Sequence, residues 1–177
     1  RRGGAAAHPH DGRACRAQCA CGPPRVPDRR RAARPLALVR GDEISFGHVG
    51  DSRIYYLPAR EGGIKQLSHD DTHVGWLFRH GQISEREART HPRRNVLQKA
   101  LGGGNQFVDP QVGAVAYERG DIFLLCTDGL TEGHYDHHLL EHLRAAVENE
   151  NLATQVDVSR RLVLNAVEKS GRDNTTA

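Results

Sequence analysis

The sequence predicts an α+β domain, layered, with antiparallel sheets. Strand-like and helix-like stretches come in blocks (strands, helices, strands, helices) rather than alternating one by one. Short turns such as Arg40-Gly41-Asp42-Glu43 and Glu118-Arg119-Gly120 join the strands, as antiparallel neighbours require. The longer helical stretches each carry a single apolar stripe, the pattern of a helix laid on one surface.

Leu36–Val39 and Ile44–Val49 read as two strands of a hairpin, with Ile44, Phe46 and His48 alternating onto one face. Arg53–Leu57 is a further strand, and Ile64–Leu67 continues the meander after the turn Glu61-Gly62-Gly63. Thr72 supplies a capping hydroxyl for a helix that runs to His80 and stops at Gly81. Ser84 with Glu87 forms a capping box for a second helix, which Pro92 ends, and Asp70 and Asp71 are expected to cap the first. Asn95–Leu101 is expected to form one short helical turn before Gly102-Gly103-Gly104. Strands return at Gln111–Tyr117 and Asp121–Thr127. The helix Asp136–Glu148 has the stripe Leu139, Leu140, Leu143, Ala146 and Val147. The last helix, about Leu152 to Lys169, is expected to bury Val156, Leu162, Val163, Ala166 and Val167 before Gly171 stops it. No internal repeat is present.

The 177 residues are 37% apolar, enough for one domain with a core. Charge is uneven. Residues 1–35 hold nine Arg against two Asp, net +7, and the remainder is net −4. The basic character therefore belongs to the N-terminal segment and is poor support for a nucleic-acid-binding domain, all the more since no aromatic residue interleaves with those arginines. With no aromatic, Ile or Leu and one Val, residues 1–35 cannot bury enough apolar surface to order themselves. They are expected to be a disordered tail or an out-of-frame Arg/Ala/Pro-rich segment of GC-rich coding DNA, with patterned sequence from residue 36 onward. The absence of Met leads to the expectation of a fragment or processed product. No apolar run reaches the roughly 18 residues of a membrane span, and no signal peptide is legible, so the chain is expected to be cytoplasmic. Cys126 sits in an apolar run as a small core residue; Cys15, Cys19 and Cys21 match no standard zinc spacing.

Three Asp motifs recur where an element is about to end: Gly50-Asp51-Ser52-Arg53, Thr127-Asp128-Gly129-Leu130 and Gly171-Arg172-Asp173-Asn174. Oxygen donors with no matching Cys/His set suit hard divalent cations. An Asp in such a place is otherwise a turn former or helix cap. His134, His137, His138 and His142 are expected on a solvated helix face, His48 as a hydrogen-bonded core residue, and Trp76 and Phe78 as packing residues.

Five collinear segments resemble the metal-dependent protein phosphatases (PPM type, or type 2C Ser/Thr phosphatases) in their bacterial form. They are Phe46-Gly47-His48-Val49-Gly50-Asp51-Ser52-Arg53-Ile54-Tyr55, Leu67-Ser68-His69-Asp70-Asp71-Thr72, Asn95-Val96-Leu97-Gln98-Lys99-Ala100-Leu101-Gly102, Gly120–Leu130, and Gly171-Arg172-Asp173-Asn174-Thr175. The resemblance implies an α-β-β-α sandwich of two antiparallel sheets flanked by helices. It implies a site for two Mn²⁺ or Mg²⁺ ions with carboxylates from Asp128 and Asp173, a third, looser ion at Asp51, and Asn174 orienting Asp173 through its amide. Arg53 is expected to pair with a nearby carboxylate. The implied activity is hydrolysis of phosphoSer and phosphoThr in phosphorylated proteins, substrates of a Ser/Thr kinase, by a metal-activated water.

The resemblance covers residues 36–177, read as the C-terminal part of such a domain, incomplete at both ends. Neither the family's Asp-Gly-x-Gly-Gly motif, whose Asp bridges the metals, nor its early phosphate-holding basic residue is found; Asp71 stands where a His is usual. The chain is therefore expected to be truncated and inactive alone, with exposed apolar sheet faces and poor solubility. The alternative is a pseudophosphatase acting as a binding scaffold. A scaffold, however, need not keep three carboxylates that repel one another without metal.

Overall fold

The computed structural model describes residues 31–60, 62–102, 108–147, 152–171 and 173–177. Among the described residues three antiparallel sheets form. Strand β2 (Arg34–Arg40) turns at Gly41 into β3 (Glu43–Val49), and β7 (Gln111–Ala116) pairs with the other edge of β3. The second sheet has β4 (Arg53–Leu57) at its centre, between β5 (Lys65–Gln66) and β8 (Ile122–Cys126). Two-residue strands β1 (Arg31–Ala32) and β6 (Leu101–Gly102) make a small third ladder. Arg31–Ala32 is thus already in a strand, a few residues before the boundary expected at 35; residues 1–30 lie outside the described residues.

The helices are α1 (His73–Arg79), α2 (Glu85–Thr90), α3 (Asp128–Gly133), α4 (Asp136–Val147) and α5 (Leu152–Lys169). The Thr72 hydroxyl accepts from the Gly75 amide at 2.9 Å, and the Ser84/Glu87 capping box closes in both directions. Asp70 and Asp71 do not cap α1; each is committed to a distant partner, described below. Asn95–Leu101 is not a helical turn either. Leu97 forms an antiparallel bridge with Thr72, and Leu101 enters β6.

The core lies between the β5–β4–β8 sheet and helices α3, α4 and α5. Because side chains alternate along a strand, Tyr55 and Leu57 of β4 point to the same face as Leu124 and Cys126 of β8. Leu130, Leu139, Leu143, Val158, Leu162 and Ala166 of the helices pack on them. Val167, expected to be buried, is 47% exposed, since the buried face of α5 is the row Val158, Leu162 and Ala166 and the next residue along a helix turns off that row. On the opposite face Phe123 lies 4.9 Å from the Tyr56 ring and is met edge-on, at 6.2 Å, by Tyr117 just past β7. That aromatic contact spans the turn from the first large sheet to the second. Two antiparallel three-stranded sheets with flanking helices are thus present. Among the described residues no helix is long and apolar enough to cross a membrane.

Candidate metal centre

Asp51 lies where the chain passes from the first large sheet into the second, between β3 and β4, rather than at a hairpin corner. Gly50 makes the crossing possible. Its φ of 109° is left-handed, and a Cβ there would stand 2.4 Å from the Ala33 side chain. Asp71 clamps the same turn: its Oδ2 accepts from the Gly50 amide at 3.0 Å, while its backbone N–H donates to the Gly50 carbonyl at 2.7 Å. The Asp71 carbonyl accepts from the Gln98 amide, and its Oδ1 from Gln111 Nε2. One residue therefore ties the crossover, the segment after α2 and the start of β7.

Arg53 forms the expected ion pair. Nε and Nη2 grip both oxygens of Asp70 at 2.9 and 2.7 Å, the bidentate arrangement a guanidinium favours. Its Nη1 donates to the Tyr55 hydroxyl, which donates to Asp136 Oδ1 at 3.1 Å. This chain of hydrogen bonds links the crossover to the first turn of α4.

Asp128 opens α3 directly after β8, with Oδ1 accepting from the Gly129 amide at 2.9 Å. The segment after α5 comes back beside it. Thr127 N–H donates to the Thr176 carbonyl and its hydroxyl to the Asn174 carbonyl, while the Thr176 amide donates to the Thr127 hydroxyl at 3.1 Å. Gly129 leaves room for this approach: a Cβ would stand 2.7 Å from the Asn174 carbonyl oxygen. Asp173 is so brought close to Asp128. Its Oδ1 is held at 2.7 Å by the backbone N–H of Asn174, which supplies the orienting hydrogen bond from the main chain.

A cleft of about 420 Å³ collects these elements, with Asp51, Asp70, Asp128, Arg94, Glu132 and Lys169 on its wall. Burial, and then the Asp128 charge, pushes the Asp51 carboxyl up to about 6. Burial, and then the Asp173 charge, raises Asp128 as well. The three carboxylates predicted from sequence thus feel one another in sequence, Asp51 to Asp128 to Asp173. As they stand they do not close a cage: among the described residues no three His, Cys, Asp or Glu groups converge on one metal-holding point. The donor set nevertheless fits hard divalent cations. It is all oxygen, and part-buried carboxylates that resist ionising beside each other are what a cation relieves.

Sequence reasoning missed several residues of this region. Arg89 of α2 reaches the carbonyls of Thr131 and His134 at the end of α3 and lies 4.0 Å over the Tyr135 ring; Arg94 pairs with Glu132 at 3.2 Å. These two arginines pin the α2 region onto α3. The histidine expectation also needs correction. His134 is fully buried because it closes α3 against α5, whereas His137 is exposed. His48 is buried as expected, but neither ring nitrogen has a hydrogen-bond partner among the described residues. Trp76 and Phe78 are 39% and 45% exposed, Trp76 stacked on His80 and Phe78 at the cleft wall rather than in the core.

No protein-family model matches the sequence. The chain is 35% identical over 139 residues to the serine/threonine protein phosphatase PstP of Mycobacterium tuberculosis, covering 78% of this chain and 25% of that protein. It is 35% identical over 141 residues to the serine/threonine phosphatase stp of Listeria monocytogenes, covering 79% of this chain and 52% of that protein. The crystal structure of M. tuberculosis PstP/Ppp superposes with a TM-score of 0.68 at 34% identity, over 82% of this chain and 57% of the other. The PstP catalytic domain in complex with two manganese ions superposes with a TM-score of 0.65 at 32% identity, over 81% and 55%. The chain thus spans a quarter to about half the length of these relatives.

Proposed function

We propose, for a chain related in sequence and fold to the PPM-type Ser/Thr protein phosphatases, that its cleft is the carboxylate half of a metal-dependent phosphoprotein phosphatase site. The observation that carries this is the electrostatic linkage of Asp51 to Asp128 and of Asp128 to Asp173, residues of three separate chain segments, with Asp51 and Asp128 both resisting ionisation. Asp128 and Asp173 would hold two Mn²⁺ or Mg²⁺ ions, and Asp51 a third, looser one. When bound, such ions polarise a phosphoryl oxygen and acidify a water for attack on phosphorus.

The chain's own residues do the positioning. The Asn174 and Gly129 amides fix the carboxylate oxygens of Asp173 and Asp128. Asp71 and the Arg53–Asp70 pair fix the turn that carries Asp51. Substrates would be proteins phosphorylated on Ser or Thr by a kinase. This polypeptide alone is proposed to be inactive, because neither the bridging Asp-Gly-x-Gly-Gly carboxylate nor the early phosphate-holding basic residue occurs in its sequence. The alternative, a non-catalytic scaffold, is disfavoured by the three retained carboxylates.

Mn²⁺-dependent hydrolysis of a phosphothreonine peptide tests this, with Asp128→Asn as control. The expected result is no turnover by this chain and Asp128-dependent turnover by a longer one that carries the bridging motif. No turnover by the longer chain would favour the scaffold. Turnover by the short chain that Asp128→Asn abolishes would show that another group replaces the bridging ligand.

A further inference from the structure

Away from the carboxylate cleft, α3 and α4 meet in a cluster of imidazoles. His134 closes α3, and His138 and His142 follow on α4, one turn apart. The His134 ring is fully buried, and its Nε2 lies 3.1 Å from the Leu162 carbonyl oxygen in α5. A carbonyl can only accept, so Nε2 carries the proton and the neutral ring presents a bare lone pair at Nδ1. That lone pair has no partner among the described residues, and neither has the buried Nδ1 of His138. Two unsatisfied ring nitrogens in one nest are uncommon in a folded interior and ask for a ligand.

Spacing and angle supply the second observation. The His134 ring centre is 5.8 Å from that of His142 and 6.5 Å from that of His138, with the planes near perpendicular at 85° and 75°. Imidazole nitrogens about 2.0–2.1 Å from a tetrahedral ion place their ring centres roughly 5–6 Å apart. His142 is close to that separation, and His138 needs to close by about 1 Å. The three rings do not yet share a point. His138 and His142 are half-buried, so their side chains have room to rotate toward the fixed His134 ring.

We propose that His134, His138 and His142 form an imidazole site for a borderline divalent ion of the zinc class, distinct from the hard-cation cleft. Nitrogen-only donors select Zn²⁺, Ni²⁺ or Cu²⁺ over Mn²⁺ and Mg²⁺. Of the charged neighbours, the Lys169 ammonium opposes a cation near His134 and His138, whereas Glu141 favours one beside His138. His137, whose ring is 4.0 Å from that of His138, is the fourth imidazole of the cluster. Bound there, the ion ties the end of α3, whose first residue is Asp128, to α4, at the point where Arg89 grips the His134 carbonyl.

The test is a ZnCl₂ titration of the full chain carrying Cys15, Cys19 and Cys21→Ser to remove the N-terminal thiols. It is followed by calorimetry and by NMR of the histidine ring nitrogens. The expected result is one zinc equivalent that shifts the ring signals of His134, His138 and His142 together. Its affinity should fall about tenfold or more in His138→Ala and in His142→Ala, and persist in Asp128→Asn. Zinc uptake that leaves those three ring signals unmoved would overturn the proposal. So would uptake that survives the double His138→Ala/His142→Ala variant or disappears with Asp128. The ring signals of the unsubstituted histidines decide the matter even if a variant fails to fold.

Discussion

The two three-stranded sheets have similar strands and unequal surroundings. In β5–β4–β8, Tyr55, Leu57, Leu124 and Cys126 lie under three helices and none is more than 6% exposed. In β2–β3–β7, Leu36, Leu38 and Val112 share one face, through the pairings Leu36 with Gly47 and Gly47 with Val112. They are 70%, 56% and 78% exposed, and no described residue covers them. An apolar pattern along a strand therefore fixes which side chains share a face, not whether that face finds a cover. The three candidate carboxylates gather on the side of the covered sheet: Asp128 and Asp173 follow β8 and α5, and Asp51 lies on the passage into β4.

The sharpest way to break that contrast is to cut leucines on both sides. Leu162→Ala, at a fully buried position, should cost about 3 kcal/mol in urea unfolding, whereas Leu36→Ala should stay within about 0.5 kcal/mol. Equal losses would mean that the bare face is covered in solution. At the junction of the two sheets, Arg53→Met leaves the Asp70 carboxylate, with its side chain only 18% exposed, without its ion-pair partner. A loss of about 2 kcal/mol is expected, with Arg53→Lys recovering only part of it.

Acid should weaken the junction as well. Burial holds His48 below its ordinary value of 6.5, so between those two values the unfolded chain binds a proton that the fold refuses. Stability is then lost as pH falls through about 6.5, and His48→Gln should flatten that part of the pH–stability curve. The smallest effect on stability, yet a visible one on solubility, is expected from Leu36→Ser with Leu38→Ser. The pair should raise the concentration at which the chain aggregates, measured by light scattering, and leave the melting temperature almost unchanged.

Elements with strong local signals are legible in the amino-acid sequence alone. The hairpin of β2 and β3, the strand β4, both capped helices and the full span of α5 follow from alternation, caps and stop residues. Helix α3 is not legible, since six residues with two glycines and no side-chain cap at Thr127 give no periodic signal. Missing α3 also displaces His134, whose burial depends on that helix ending against α5. The three carboxylates stand out through their motifs. Asp70 and Asp71 do not, because their partners Arg53 and Gly50 lie 17 and 21 residues away and a local rule assigns both to the following helix. Capping is a short-range inference, and a long-range ion pair at Asp70 and a long-range hydrogen bond at Asp71 override it.

Manganese binding by this chain tests the central claim most directly, because it needs no turnover. In an electron-paramagnetic-resonance titration of free Mn²⁺, binding should be measurable near neutral pH and weaken about tenfold or more in Asp128→Asn. It should also decline as pH falls below about 6, where Asp51 takes up a proton. Mn²⁺ affinity that ignores Asp128→Asn, or that stays constant across that pH range, would contradict a carboxylate metal centre in this cleft.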